Sequence, residues 1–183
     1  MSAVGSGNAP IFSVLIRVSE YLESLVKLLA NIFCWSYAFL IAVILVNVIM
    51  RYGFSSGLIV FEEIQWHLYA IGMMFGLSYA EVTNSQVRVD IVADMLKRRT
   101  VIKWEIFGAV VFVIPFIFVI VFNAWEYVEN SYAINESSNS PLGLPYRWLI
   151  KAVIPASFLL LLCAVLARLI RNVVALTNNG DVK

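Results

Sequence analysis

From Leu28 to Met50 the chain runs for 23 residues without a formal charge, and this decides the class of fold before any motif is considered. A helix needs about 20 mostly apolar residues to cross a bilayer, because each residue rises about 1.5 Å against a hydrocarbon core about 30 Å thick. Three further apolar runs follow: 64–80, 106–125 (interrupted by Pro115 and Asn123) and 148–167. With 61% of its residues apolar and 14% charged, a soluble domain of this size could not bury its own hydrocarbon. In lipid the backbone must satisfy its own polar groups, and helices do so within one segment. The expectation is an all-α integral membrane protein, a single four-helix domain over residues 1–183 with spans at 28–50, 64–80, 106–125 and 148–167.

The segments between the spans give a topology. Residues 1–27 divide into a small, polar tail and a stretch, 11–27, with Val14, Leu15, Val18, Leu22, Leu25 and Val26 at helical spacing. That is an amphipathic helix, lying on the membrane surface or extending the first span, and not a cleavable signal peptide. Pro115 removes a backbone donor in mid-helix and is expected to kink the third span. Lys151, near the start of the fourth, can snorkel outward. With both termini cytoplasmic, ten of the thirteen Lys and Arg fall on the inside, and Glu62, Glu63, Glu126, Glu129 and Glu136 gather outside. This is the positive-inside bias. The inner connection, 81–103, alternates apolar and basic positions and is expected to form a short connecting helix along the inner leaflet, with Lys97, Arg98 and Arg99 near lipid phosphates. The outer connection, 126–145, is rich in Ser and Asn and turns through Pro141, Gly143 and Pro145, with Tyr146, Arg147 and Trp148 following as interfacial anchors.

Chemistry is sparse. His67 is the single histidine and cannot supply two axial imidazoles to a haem. Spaced one helical turn after Glu63, it reads as a hydrogen-bonded partner of that residue at a packed helix end, with a metal-ligand role as the sharper alternative. Glu62 and Glu63 are candidates for a proton or cation site, because an acid near the bilayer is functional by default; at a span end, water also solvates them. No HExxH, GxSxG or Walker A sequence is present, so no catalytic, cofactor-binding or metal site is expected and the chain is not expected to be an enzyme. Cys34 and Cys163 lie in apolar runs as small hydrophobes. The net charge of +1 gives no indication of nucleic acid. Gly72, Gly76 and Ala80 recur every fourth residue in the second span, a face of low bulk on which another helix can approach closely. Pumps and carriers need polar groups or broken helices within the membrane, and these spans offer few. An accessory subunit that braces another membrane protein fits best.

Three segments carry a resemblance: FEEIQW (61–66), NSQVRVDIV (84–92) and PLGLPYRWLIKAVIP (141–155). Together, in this order against the spans, they resemble the small membrane subunit of tripartite ATP-independent periplasmic (TRAP) transporters, the DctQ-like family. The family's turn often reads glycine, any residue, histidine, a hydrophobe, Arg, any residue, Asp; here Asn84 and Gln86 stand at the glycine and histidine positions, and Arg88 and Asp90 match. The resemblance implies a multi-pass protein of the bacterial cytoplasmic (inner) membrane, in a heterodimer with a large membrane subunit. That subunit carries the solute by a sodium-driven elevator motion, after a periplasmic solute-binding protein has captured it. The solute leans toward organic acids. The small subunit would pack on the static scaffold of the large one and widen it. On this resemblance Glu62, Glu63 and Trp66 form a structural or partner-facing corner, and Arg88 and Asp90 pin the cytoplasmic turn, with Arg88 alternatively holding a lipid phosphate. Two other classes compete: a self-sufficient small oligomeric transporter or channel, and a membrane redox subunit.

Overall fold

A computed structural model describes residues 9–86, 95–140 and 143–177, and every described element is helical. Helix α1 runs over Ala9–Cys34, α2 over Ser36–Gly53, α3 over Ile59–Thr83, α4 over Arg98–Gly108, α5 over Ile114–Ala133 and α6 over Trp148–Thr177. Among the described residues, three segments are long and apolar enough to cross a membrane: Phe12–Gly53, Arg98–Ala133 and Trp148–Thr177. At 25 residues, α3 has the length, but Gln65, His67 and two glycines dilute its apolarity.

The amphipathic stretch at 11–27 and the start of the first apolar run form one helix, which breaks only at Trp35 before α2 resumes. Its packing face takes in only part of the apolar stripe, with Leu15 and Leu22 half-buried and Val26 in the core. Ser19, Glu23, Val26 and Ala30 are buried, while Val14, Val18 and Leu25 are exposed. In water the greasy face would turn inward; beside lipid it can point out, and the polar and small residues seek protein instead.

Helix α6 is the hub, packing on α1, α3, α5 and α4, whereas α2 rests chiefly on α3. Small buried residues on α6 (Ser157, Ala164 and Ala167) admit its neighbours closely. Val26, Phe75, Val82, Leu160 and Ala164 form the core cluster where α1, α3 and α6 meet, and the rings of Phe33 and Phe75 stack 3.8 Å apart beside it. Polar groups in this layer are matched across helices: the Ser19 hydroxyl donates to the Ala167 carbonyl at 2.9 Å and Ser78 to the Ser157 carbonyl at 3.4 Å.

Two sequence features end or bend the helices by identifiable means. Before Pro115 the backbone widens into a π-turn at Ala109–Val113, with the Ile114 amide donating to the Ala109 carbonyl; the wider turn relieves the crowding that a proline ring imposes on the preceding turn. Asn84 closes α3 in the left-handed region at φ 54°, with the Ser85 amide reaching the Ala80 carbonyl at 3.0 Å. Asn135 does the same after α5 at φ 49°, with Glu136 N–H on the Ser131 carbonyl at 3.0 Å. Asparagine is the non-glycine residue best suited to that cap, so Asn84 can stand where the family turn has glycine.

Candidate functional site

Polarity collects at the two ends of the bundle. At the first, Glu63 projects from the start of α3 into the loop between α5 and α6. One carboxylate oxygen accepts the Leu144 amide at 2.6 Å and the other accepts the Ser138 hydroxyl. The loop is itself laced by backbone bonds, Ser138 N–H to Leu144 O at 3.1 Å and Arg147 N–H to Glu136 O at 3.0 Å. A Cβ on Gly143 would run into Ser138 and the Glu63 carboxylate, so only glycine lets the chain pass here. Glu136 makes the second clamp: it accepts the Ser131 hydroxyl at 2.6 Å, pairs with Lys151 and lies 3.7 Å from Arg147. The Leu144 amide, foremost, and the Ser138 hydroxyl hold the Glu63 carboxyl below the usual range. Lys151, foremost, and Ser131 do the same for Glu136.

The FEEIQW and PLGLPYRW segments, separated by some 80 positions in sequence, therefore meet through Glu63. Glu62 is exposed, as is Trp66; with His67, Ser140 and Arg147 they border a pocket of about 320 Å³. The Nδ1–H of His67 donates to the Glu63 backbone carbonyl, not to its carboxylate, which is engaged by the loop. Tyr146 takes φ 62°, a left-handed conformation unusual for an aromatic residue, where the loop turns into α6. Trp148 packs edge-on against Tyr132 at 5.4 Å.

The second end holds a network that sequence reasoning missed. Arg168 on α6 bridges Glu81 of α3 at 2.9 Å and Glu105 of α4 at 3.3 Å. Asn172 adds a 3.0 Å bond to the other Glu105 oxygen, and Arg171 pairs with Glu23 of α1 at 2.5 Å. Three helices, α1, α3 and α4, are tied to one face of α6. The signal was present: positions 168, 171 and 172 are spaced i, i+3, i+4 on a helix, so they share a face. A positive-inside count treats those arginines only as topological charges.

Of the small-residue face, Gly72 is buried where α2 crosses α3: a Cβ there would lie 2.7 Å from Ser36 Oγ and 2.8 Å from the Tyr37 ring. Gly76 has nothing within 4 Å. The buried stripe of α3 passes through Gly72, Phe75, Ser78 and Val82 and so rotates away from Gly76. Arg88 and Asp90, expected to pin the cytoplasmic turn, lie outside the described residues.

A chain whose described elements are all helical, with three segments long and apolar enough to cross a membrane and its described ion pairs confined to the two ends, is a multi-pass integral membrane protein. Residues 40–175 match the family model described as tripartite ATP-independent periplasmic transporters, DctQ component. The chain belongs to that family, and with it to the small-subunit class of TRAP transporter components. No individual curated protein matches it.

Proposed function

We propose that the chain is the small accessory membrane subunit of a sodium-coupled TRAP transporter for organic acids, seated in the bacterial inner membrane. It spans four times, with α3 as the span of mixed polarity, and both termini face the cytoplasm. The Glu63–Glu136 end is then periplasmic and the Arg168 end cytoplasmic. It forms a heterodimer with the large elevator-type subunit, packs on the static scaffold of that subunit and widens it, and works with a periplasmic solute-binding protein. It has no catalytic, cofactor or metal role of its own.

The observation that carries this reading is the distribution of polarity. Every ion pair among the described residues sits at one end or the other, and between them α2, the π-turn and α5 expose Phe39, Ile41, Phe112, Phe116, Phe118 and Phe122. A body apolar outside, closely packed inside and stapled at both ends suits a brace better than a carrier, which needs polar groups at mid-membrane to hold cargo. Reconstitution tests it. Vesicles holding this chain and the large subunit, supplied with the solute-binding protein, should accumulate an organic acid along a sodium gradient. Omitting either membrane subunit should abolish uptake. Accumulation by this chain alone would refute the reading.

A further inference from the structure

At the end of the bundle that carries the α5–α6 loop, three aromatic rings and one carboxylate enclose a recess that neither fold nor family membership explains. Trp125, Glu129 and Tyr132 lie at i, i+4 and i+7 on one face of α5, and Trp148, the first residue of α6, closes the far side. The recess measures about 310 Å³. The Tyr132 and Trp148 rings stand nearly perpendicular, at 89°, so two faces meet at a corner. Trp125 and Tyr132 remain 67% and 65% exposed, so the walls have little cover from the protein. Glu129 makes no hydrogen bond or ion pair among the described residues, unlike Glu63 and Glu136 nearby.

The chemistry of such a recess selects a cation. Aromatic faces carry negative quadrupole charge and attract ammonium groups, and a carboxylate at the rim adds a full charge and a hydrogen-bond acceptor. This end of the molecule already shows the preference, since Lys151 places its ammonium 3.9 Å from the centroid of Tyr127. Depth selects the source of the cation. Trp125 ends the apolar run, and Tyr132 lies seven residues further, about 10 Å along the axis at about 1.5 Å per residue. The recess therefore spans the zone between acyl chains and headgroups, about 5–10 Å deep. We propose that it binds the ammonium headgroup of phosphatidylethanolamine, with the rings around the cation and Glu129 accepting its N–H. A quaternary headgroup has no N–H to offer Glu129, which favours the primary ammonium. The assignment does not depend on which large subunit, if any, the chain joins.

The test is native mass spectrometry of the full chain in detergent with equimolar phosphatidylethanolamine, phosphatidylcholine and phosphatidylglycerol of matched acyl chains. Phosphatidylethanolamine should dominate the retained lipid. Glu129→Gln and Trp125→Leu should each lower that retention roughly 3- to 10-fold, which at 1.4 kcal/mol per tenfold is about 0.7–1.4 kcal/mol, the scale of one cation–π or charge contact. Both side chains are exposed, so helical content and thermal midpoint should be unchanged, which separates a lost site from a lost fold. Equal retention of phosphatidylcholine in the wild type would overturn the proposal by removing the role of Glu129. Undiminished phosphatidylethanolamine in both variants would reduce the rings to ordinary interfacial anchors and overturn it as well.

Discussion

Substituting Gly72 tests whether a close helix crossing, and not glycine's general tolerance in membrane helices, fixes α2 on α3. A Cβ at Gly72 would stand 2.7 Å from Ser36 Oγ and 2.8 Å from Cε2 and Cζ of Tyr37. Relaxed contacts between carbon atoms lie at about 3.5–4.0 Å, so the approach is too tight by roughly 1 Å. The serine hydroxyl can rotate away; the Tyr37 ring must swing, or α2 must lift. Overpacking of this kind costs about 1–3 kcal/mol, against a gain of about 1 kcal/mol for replacing glycine by alanine in a helix. Gly72→Ala should therefore lie about 0–2 kcal/mol below wild type. Gly72→Val adds two methyl groups and forfeits most of the propensity gain, for a loss of about 2–3 kcal/mol. Gly76 is the control: with nothing within 4 Å of its Cβ, Gly76→Ala should be neutral or stabilising and Gly76→Val near neutral. The assay is reversible SDS unfolding in mixed micelles, followed by tryptophan fluorescence. A Tyr37→Ala change in the Gly72→Val background should restore part of the loss, with a coupling above about 0.5 kcal/mol. Equal stability of the two valine variants, or strictly additive losses in the double mutant, would refute the reasoning.

The remaining predictions concern the two ends. Because the folded Glu63 carboxyl titrates below its ordinary range, its tether to the loop is complete above the usual carboxylate pKa of about 4.3 and is lost as pH falls through the depressed folded value. Hydrogen exchange at the Leu144 amide, corrected for intrinsic rate, should thus accelerate only at pH values below the ordinary carboxylate range. In Glu63→Ala it should be fast at every pH, and a wild-type amide equally fast at pH 7 would refute the tether. Arg168→Met should destabilise the chain by about 2 kcal/mol, the scale of a charge-assisted hydrogen bond left unmade. Arg168→Lys should recover less than half, since an ammonium cannot fork between Glu81 and Glu105; the same SDS titration measures both.

How much of this was legible depended on which solvent the sequence was read against. The apolar runs pointed to a helical chain because bilayer thickness and helix rise admit few other answers; the runs at 28–50, 106–125 and 148–167 fall inside long apolar segments, whereas 64–80 lies on a helix too polar to qualify. Helix α1 was legible as amphipathic, but which part of its apolar stripe packs was not, because periodicity alone gives a stripe without saying whether protein or lipid lies against it. Glu63 was legible as a special residue and its partners were not. They are Leu144 and Ser138, brought within reach only by a loop whose shape depends on Gly143 and on the left-handed turns at Asn135 and Tyr146. The Arg168 network was not legible because a count of basic residues accounts for Arg168 and Arg171 as topological charges and says nothing of the acids on three other helices that they meet.

The two ends together have a mechanical consequence that neither has alone. Glu63 ties α3 to the approach of α6, and Glu81 ties the far end of α3 to Arg168 on α6. These anchors are separated by eighteen residues of α3, about 27 Å at about 1.5 Å per residue. A one-turn slide of α3 along α6, about 5.4 Å, would break both sets at once. Between them Ser78 meets the Ser157 carbonyl at the level where Pro155 removes a backbone donor from α6, so a third contact resists the same displacement. Helices free to slide can relay motion; a pair pinned at both ends and in the middle can only transmit force. That is the property which the proposed role as a static frame would require.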